Sequence, residues 1–383
     1  MPEGDVLFAG GKCFYLSMIW SSESHGNPIT DQDMREFLIS KISFITGSAT
    51  KDAFPITQPS SFRKATIPKI VNDSYCCSLK TDGVRHILIL TKYNDTPVAA
   101  LLDRNMNLHE VEVWATEDYF NDSVFDGEIV SEESKTSPKR QIFLLFDAYC
   151  VKGKSLLLED YMSRVQKMNT SIFVNGYRGG GDREVPDSQI EDMLSETDTI
   201  YVPTSSGFQI LCKCILPATN AKMVWNRKKE TPHLNDGLIF TPNTVVLTDK
   251  KVFKWKTHHT LDVLVEKSSS DPCLLYKGET IRCPAIHLEK HEFILHKVRK
   301  NVLVDSFFEK FDERETGIFE CICDINSMNN YVTLSPIKVR VDKSSPNSMF
   351  TVRETLLNVL ENIQIQELDL SKKSQVKRKK ARL

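Results

Sequence analysis

The stretch Tyr75-Cys76-Cys77-Ser78-Leu79-Lys80-Thr81-Asp82-Gly83-Val84-Arg85-His86-Ile87-Leu88-Ile89-Leu90 holds two apolar runs, Tyr75–Leu79 and Val84–Leu90, broken by Lys80-Thr81-Asp82-Gly83. Short runs of this composition read as strands, and Asp-Gly supplies the backbone freedom of a tight turn. The spacing therefore predicts a β-hairpin with Lys80 ending its first strand at the turn. A lysine at such a tip is placed as a nucleophile if something removes its proton. Taken alone, the tetrapeptide fits a solvated lysine beside an ordinary turn at least as well.

Outward from this stretch, runs at 97–102, 110–114, 124–130 and 141–151 predict further short strands. Their spacing suits a mostly antiparallel, helix-flanked sheet rather than βαβ repeats. Upstream, Thr30-Asp31-Gln32-Asp33 reads as a capping box, followed at helical spacing by Met34, Phe37, Leu38, Ile42 and Ile45. Residues 46–65 read as loop, and 156–170 have helical apolar spacing. Gly176 to Asp182, with three consecutive glycines, reads as a loop and lacks the Gly-Lys-Ser/Thr of a Walker phosphate loop. Apolar-rich runs at 261–265, 292–304, 318–325 and 331–341 predict four or five strands of a small barrel. Thr351-Val352-Arg353-Glu354 reads as a second capping box, opening a closing helix with Leu356, Leu357, Leu360 and Ile363.

The chain has 383 residues, enough for two or three domains. With 40% hydrophobic and 26% charged residues, it is not a disordered, collagen-like or coiled-coil chain. No run approaches the roughly 18 apolar residues of a membrane span, and Glu3 and Asp5 stand where a secretory signal would be basic, so an intracellular protein is expected. The ten cysteines form no Cys-x-x-Cys pair and are expected to be mostly free thiols. Cys283, His287 and His291 form the one metal-like cluster, but their spacing matches no zinc pattern. Seven basic residues and no acidic one lie between Lys372 and Arg382; without them the chain has 42 Lys and Arg against 51 Asp and Glu. Such a tail suits an anionic partner, as a nuclear-import signal or RNA-binding arm, or serves only solubility.

Residues farther along the chain raise the weight on Lys80. In order they are Arg85, Asp103-Arg104, Phe125-Asp126-Gly127-Glu128, Phe146-Asp147-Ala148, Asp236-Gly237-Leu238-Ile239, Lys254-Trp255-Lys256 and Arg340-Val341-Asp342-Lys343. This ordered series resembles the covalent nucleotidyltransferases and, within them, the compact viral and fungal mRNA capping guanylyltransferases. Lys80-Thr81-Asp82-Gly83-Val84-Arg85, Thr257-His258-His259-Thr260-Leu261-Asp262 and the late element around Arg340 favour capping over ligation. The segment after Lys256 departs from the family pattern, being two residues shorter and lacking a proline directly after that lysine.

The resemblance implies an α+β fold: a nucleotidyltransferase domain (1–262) of mostly antiparallel sheets with flanking helices, an OB-fold β-barrel (263–350), a closing helix (351–368) packing back on the structure, and the basic tail (369–383). It implies that Lys80 takes GMP from GTP, releasing pyrophosphate, and passes it to the 5′-diphosphate end of nascent RNA to give the GpppN cap. Lys254 and Lys256 would hold the α-phosphate; Arg85 and Arg104 would contact ribose or phosphate. Phe146 would stack on the guanine and Lys213 would contact base or phosphate. Arg340, Asp342 and Lys343 would complete the triphosphate site, while Asp236 and Glu128 would serve a Mg²⁺ or Mn²⁺ ion or the ribose.

The physical requirement is demanding. A free lysine amine has a pKa of about 10.4, and lowering it toward roughly 7.5 takes about 4 kcal/mol of differential destabilisation of the ammonium. Neighbouring cations and partial burial both act in that direction. No Cys-x5-Arg phosphatase loop is present and 79 residues precede Lys80, so a separate RNA triphosphatase and a separate cap methyltransferase are expected partners. RNA polymerase is a further candidate partner, and the nucleus or a viral replication site the expected location. The rivals are an ATP-dependent polynucleotide ligase and an inactive adaptor of the same fold.

Overall fold

The computed structural model describes residues 26–49, 53–56, 58–132, 140–172, 200, 208–231, 233–266, 272–276, 279–282, 285–289, 292–296, 316–326, 331–340, 343–368 and 370. The expectations placed on the glycine loop 176–182, on Cys283 and His291, on Asp342 and on the basic tail lie outside these residues.

Tyr75–Thr81 (β1) and Val84–Tyr93 (β2) are both strands, yet they do not form the expected hairpin. β1 pairs antiparallel with Leu216–Pro217 on one side and with Asn235–Pro242 (labelled β8) on the other. β2 lies in a different sheet, between Thr96–Asp103 (β3) and Ser123–Glu132 (β5). That sheet runs in the order Asn27–Pro28, Leu108–Glu110 (β4), β3, β2, β5, Arg140–Val151 (β6) and Phe208–Cys212 (β7), with Lys154–Ser155 paired to β6. All its pairs are antiparallel except β6 with β7.

Asp82-Gly83 is therefore a crossing between sheets, and Asp82 donates its N–H to the Leu234 carbonyl at 3.0 Å. Gly83 is required for closeness rather than for a positive φ. A Cβ there would stand 2.7 Å from the Ile129 carbonyl oxygen and 2.8 Å from Val130 Cγ1.

The larger sheet is buried on both faces, and strand alternation divides its side chains between two cores. Ile87 and Ile89 face one core with Leu38, Ile42 and Ile45 of the helix Gln32–Thr46; Leu88 and Leu90 face the other with Tyr161, Val165 and Met168 of the helix Tyr161–Ser171. The first helix starts one residue later than its capping box suggested. Asp31, not Thr30, is the cap and accepts from Met34 N at 2.7 Å, while Gly47 closes the helix at φ 72°. The second begins at Tyr161 because Asp160 caps it, accepting from Ser163 N at 3.0 Å. Val111 and Val113 are buried without belonging to a strand: β4 ends at Glu110, and the apolar alternation read at 110–114 comes from packing.

The chain divides into two compact units: residues 1–60, 70–253 and 369–383 in the first, and 61–69 with 254–368 in the second. The second contains a seven-stranded sheet, ordered Glu279–Arg282, Pro272–Tyr276, Thr260–Glu266, Thr316–Asn326, Tyr331–Val339, Ala285–Glu289, Glu292–His296, with antiparallel pairing throughout. Its helix Met349–Glu361 is capped by Ser348, three residues ahead of the predicted Thr351. Arg63 Nε donates to Glu361 Oε1 at 3.0 Å, fastening the short segment 61–69 to that helix. The architecture is mixed α+β with antiparallel sheets, as the sequence led us to expect.

Candidate active site

Lys80 sits one residue before the end of β1. The β1–β8 ladder is regular from Tyr75 to Lys80, which opposes Gly237, but Thr81 then opposes Asn235. Asp236 is thus an extra residue in β8, and such a bulge re-aims a side chain. Here it brings the Asp236 carboxylate to Lys80, whose Nζ donates to Oδ1 at 2.7 Å. The two side chains are 20% and 35% exposed, so the pair remains open to solvent.

Beside it lies a second cationic centre. Lys213 follows β7 and is fixed by its own N–H, which donates to the Leu145 carbonyl at 2.8 Å. Its ammonium donates to Thr81 Oγ1 at 2.6 Å and is ion-paired with Glu128 of β5. The same ammonium stands 5.2 Å from the centre of the Phe146 ring, and the Arg85 guanidinium stands 5.5 Å from it. Arg85, Glu128, Phe146 and Lys213 therefore come together, and Thr81 joins them to the strand of Lys80.

Arg85 is more deeply held than a purely substrate-directed arginine. Its Nε and Nη2 donate to the two Asp126 oxygens at 2.9 and 2.6 Å, and Asp126 is 1% exposed. Burial opposes the guanidinium charge, but Asp126 more than offsets it and holds Arg85 above its ordinary pKa. Arg104 follows Asp103, whose Oδ1 accepts from the N–H groups of Asn105 and Asn107, both at 2.8 Å, and shapes that turn. Desolvation first, and the nearby Arg85 charge second, hold Arg104 below its ordinary pKa.

Two more bulges shape β6. Against β5, Asp147 opposes Asp126 while Leu145 opposes Gly127, leaving Phe146 extra; Ala148 opposes Phe125 while Cys150 opposes Val124, leaving Tyr149 extra. The first bulge sets the Phe146 ring beside the two cations. The second leaves Tyr149 and Cys150 together in the core opposite Ala148, where the Tyr149 hydroxyl donates to Asp126 Oδ2 at 3.3 Å. Gly127 permits this close packing, since a Cβ there would lie 2.6 Å from the Phe143 ring. Asp147 is bound bidentately by Arg164, both contacts at 2.8 Å, and the Tyr161 hydroxyl donates to the Phe146 carbonyl at 2.8 Å.

The remaining sequence-predicted residues belong to the second unit. Lys254 and Lys256 alternate with buried Phe253 and Trp255 along the strand Phe253–Lys256, so both lysines share one face. Trp255 Nε1 donates to the Ile363 carbonyl at 2.8 Å. Arg340 pairs with Asp262 Oδ1 at 3.0 Å and Glu320 Oε2 at 3.5 Å; Lys343 Nζ stands 4.0 Å from Asp262 Oδ2. The sequence reading gave no role to Thr81, Asp126, Tyr149, Arg164 or Asp262. Thr81, Asp126 and Asp262 stood within quoted motifs; Tyr149 and Arg164 carried no spacing signal.

Among the described residues no group of three or more His, Cys, Asp or Glu converges as a metal site. The oxygen donors at hand are Glu128 and Asp236, each holding a lysine. Such a set fits magnesium, which is commonly held by one or two carboxylates with water and substrate phosphate completing its shell.

The sequence matches the family described as mRNA capping enzyme, catalytic domain, over residues 25–258. The mRNA-capping enzyme subunit alpha of Schizosaccharomyces pombe is 28% identical over 260 residues, covering 64% of this chain and 61% of that protein. The subunit alpha of Saccharomyces cerevisiae is 24% identical, covering 70% and 61%. The mRNA-capping enzyme of Caenorhabditis elegans is 24% identical, covering 86% and 50%. This chain thus spans less than two thirds of the length of these relatives. Among solved structures, mycobacterial DNA ligase D complexed with ATP and MES aligns with 75% of this chain and 94% of its own, at a TM-score of 0.36 and 11% identity. With more than half its residues matched, the chain belongs to the mRNA capping enzyme catalytic-domain family.

Proposed function

We propose that this protein is an mRNA guanylyltransferase that works through a lysyl–GMP intermediate. Lys80 Nζ attacks the α-phosphorus of GTP; a P–N bond forms, the bond to the β-phosphate oxygen breaks, and pyrophosphate leaves. An oxygen of the 5′-diphosphate RNA end then attacks the same phosphorus, giving GpppN and returning the electron pair to Nζ. The observation that carries the reading is the 2.7 Å contact between Lys80 and a bulge-borne Asp236. As Nζ turns toward phosphorus, Asp236 Oδ1 is the acceptor already in contact with its proton.

In this reading Phe146 supports the guanine, Lys213 contacts base or phosphate, and Arg85, Arg104 and Glu128 contact ribose or phosphate. Lys254 and Lys256 take the α-phosphate; Arg340, Asp342 and Lys343 take the departing pyrophosphate. Asp236 and Glu128 would hold Mg²⁺ or Mn²⁺, which when bound supplies charge neutralisation on the triphosphate. The antiparallel sheet of the second unit supports an OB-type barrel over 263–350, with 1–262 as the nucleotidyltransferase domain. The cellular setting follows from the substrate: the nucleus or a viral replication site, alongside an RNA triphosphatase, a cap methyltransferase and an RNA polymerase. No helix among the described residues is long and apolar enough to cross a membrane.

Incubation with α-labelled GTP or ATP and a divalent metal, followed by denaturation, tests the assignment. Label is expected from GTP, and none in Lys80→Ala. Label from ATP alone would identify a polynucleotide ligase; wild-type labelling no better than Lys80→Ala would identify an inactive adaptor.

A further inference from the structure

The sequence between Lys213 and Leu234 runs against the charge of the body. It carries Lys213, Lys222, Arg227, Lys228 and Lys229 against one acidic residue, Glu230, whereas the chain without its basic tail is acidic, with 42 Lys and Arg against 51 Asp and Glu. Four of these cations fall on the short helix Ala221–Asn226 and the 3-10 turn Arg227–Glu230 that continues it. The inward face of the helix carries the buried residues Ala221, Val224 and Trp225. Lys222, Arg227 and Lys229 are exposed, and Lys228 lies 3.8 Å from the centre of the Trp225 ring.

This patch is tied to the nucleophile's strand at both ends. Thr231 Oγ1 donates to the Lys228 carbonyl at 3.0 Å and accepts from Asn235 Nδ2 at 2.7 Å, and Asn235 opposes Thr81 across the ladder. At the other end, Arg227 Nη1 donates to Cys214 Sγ at 2.9 Å, next to Lys213, whose ammonium reaches Thr81. The chain leaves the patch through Leu234, which is 77% exposed, and arrives two residues later at Asp236. A basic, solvent-facing ledge is thereby held in fixed relation to the Lys80 amine, with exposed Met223 and Leu234 interspersed.

We propose that this ledge, residues 222–231 with 233 and 234, is the track for the acceptor RNA, its cations contacting backbone phosphates behind the 5′ end that reacts at Lys80. The inference deepens the guanylyltransferase reading and rests on it. GTP needs few phosphate contacts beyond its own triphosphate, whereas an RNA strand brings one negative charge per nucleotide and is held by cations arrayed along its path. The reaction at the end of the track is the second transfer: the terminal phosphate oxygen bonds to phosphorus, the P–N bond to Lys80 breaks, and Nζ keeps the electron pair and takes up a proton.

The test separates the two half-reactions in the full-length protein carrying Lys222→Glu, Arg227→Glu and Lys229→Glu together. Lysyl–GMP formation from GTP should match wild type, which also reports that the variant is folded. GMP transfer to a diphosphate-ended RNA of about 20 nucleotides, at limiting acceptor, should fall about tenfold or more. The slope of log affinity against log salt should flatten by about 2, since each lost contact to a single strand accounts for about 0.7. Transfer to a diphosphate-ended dinucleotide, too short to reach along the ledge, should be unchanged. Lys222→Gln with Lys229→Gln should give an intermediate loss and a slope change of about 1.4. Unchanged transfer to the long acceptor, or equal losses for long and short acceptors, would overturn the track. A wild-type protein that forms no lysyl–GMP would instead remove the guanylyltransferase reading.

Discussion

Two kinds of ion pair lie within the first unit. Lys80–Asp236 is a contact to one carboxylate oxygen, with both side chains partly open to solvent. Arg164–Asp147 and Arg85–Asp126 are bidentate, and their carboxylates are 10% and 1% exposed. The first kind is cheap to open, as the proposed nucleophile requires. The second leaves a buried charge behind if one partner is removed, so it fixes position. The proposed chemistry and the scaffolding are thus separated by burial rather than by residue type.

The largest expected effect is on chemistry alone. Lys80→Ala should reduce GTP labelling to background while its melting temperature, followed by near-UV dichroism, stays within about 2 °C of wild type, because an exposed pair contributes about 1 kcal/mol or less. A large fall in melting temperature would break the contrast. Arg164→Met should act in the opposite way, destabilising by about 3–5 kcal/mol by stranding Asp147, as urea unfolding would measure. A loss no larger than that of Lys80→Ala would show that the buried pair is not a scaffold.

A third expectation extends the contrast to the second unit. Burial first, and the Lys256 and His258 charges next, lower His259 from its ordinary 6.5 to about 4. Between those values the unfolded chain binds more protons than the folded one, so stability is full above about pH 6.5 and is lost as pH falls toward 4. The slope is at most about 1.4 kcal/mol per pH unit, and urea midpoints of His259→Gln across that window should be flatter than wild type. The smallest effect is expected for Tyr149→Phe, about 1 kcal/mol by the same unfolding measurement, since one hydroxyl donor to Asp126 is lost while Arg85 remains.

Much of the fold was legible because burial leaves a period in sequence. Ile87, Leu88, Ile89 and Leu90 announced a strand, and Phe37, Leu38, Ile42 and Ile45 a helix. The hairpin failed for a physical reason: glycine at position 83 looks the same whether it serves a turn or a close passage, and only Ile129 and Val130, forty-six residues or more downstream, decide between them. For the site, Lys80, Glu128, Asp236 and Phe146 stood out by order along the chain. Their partners did not. Thr81, Tyr149 and Arg164 act through contacts spanning up to 132 positions, and no local pattern records such contacts.

The bulges carry a consequence of parity. A strand assigns its side chains to two faces by odd and even position, and an inserted residue exchanges the assignment for everything beyond it. In β8 and β6 those exchanges deliver Asp236 and Phe146 where alternation alone would not. Counting matters here as much as chemistry. Removing one neutral residue beside either position would restore an orderly ladder, retain every charged group in the chain, and point the carboxylate or the ring to the wrong side.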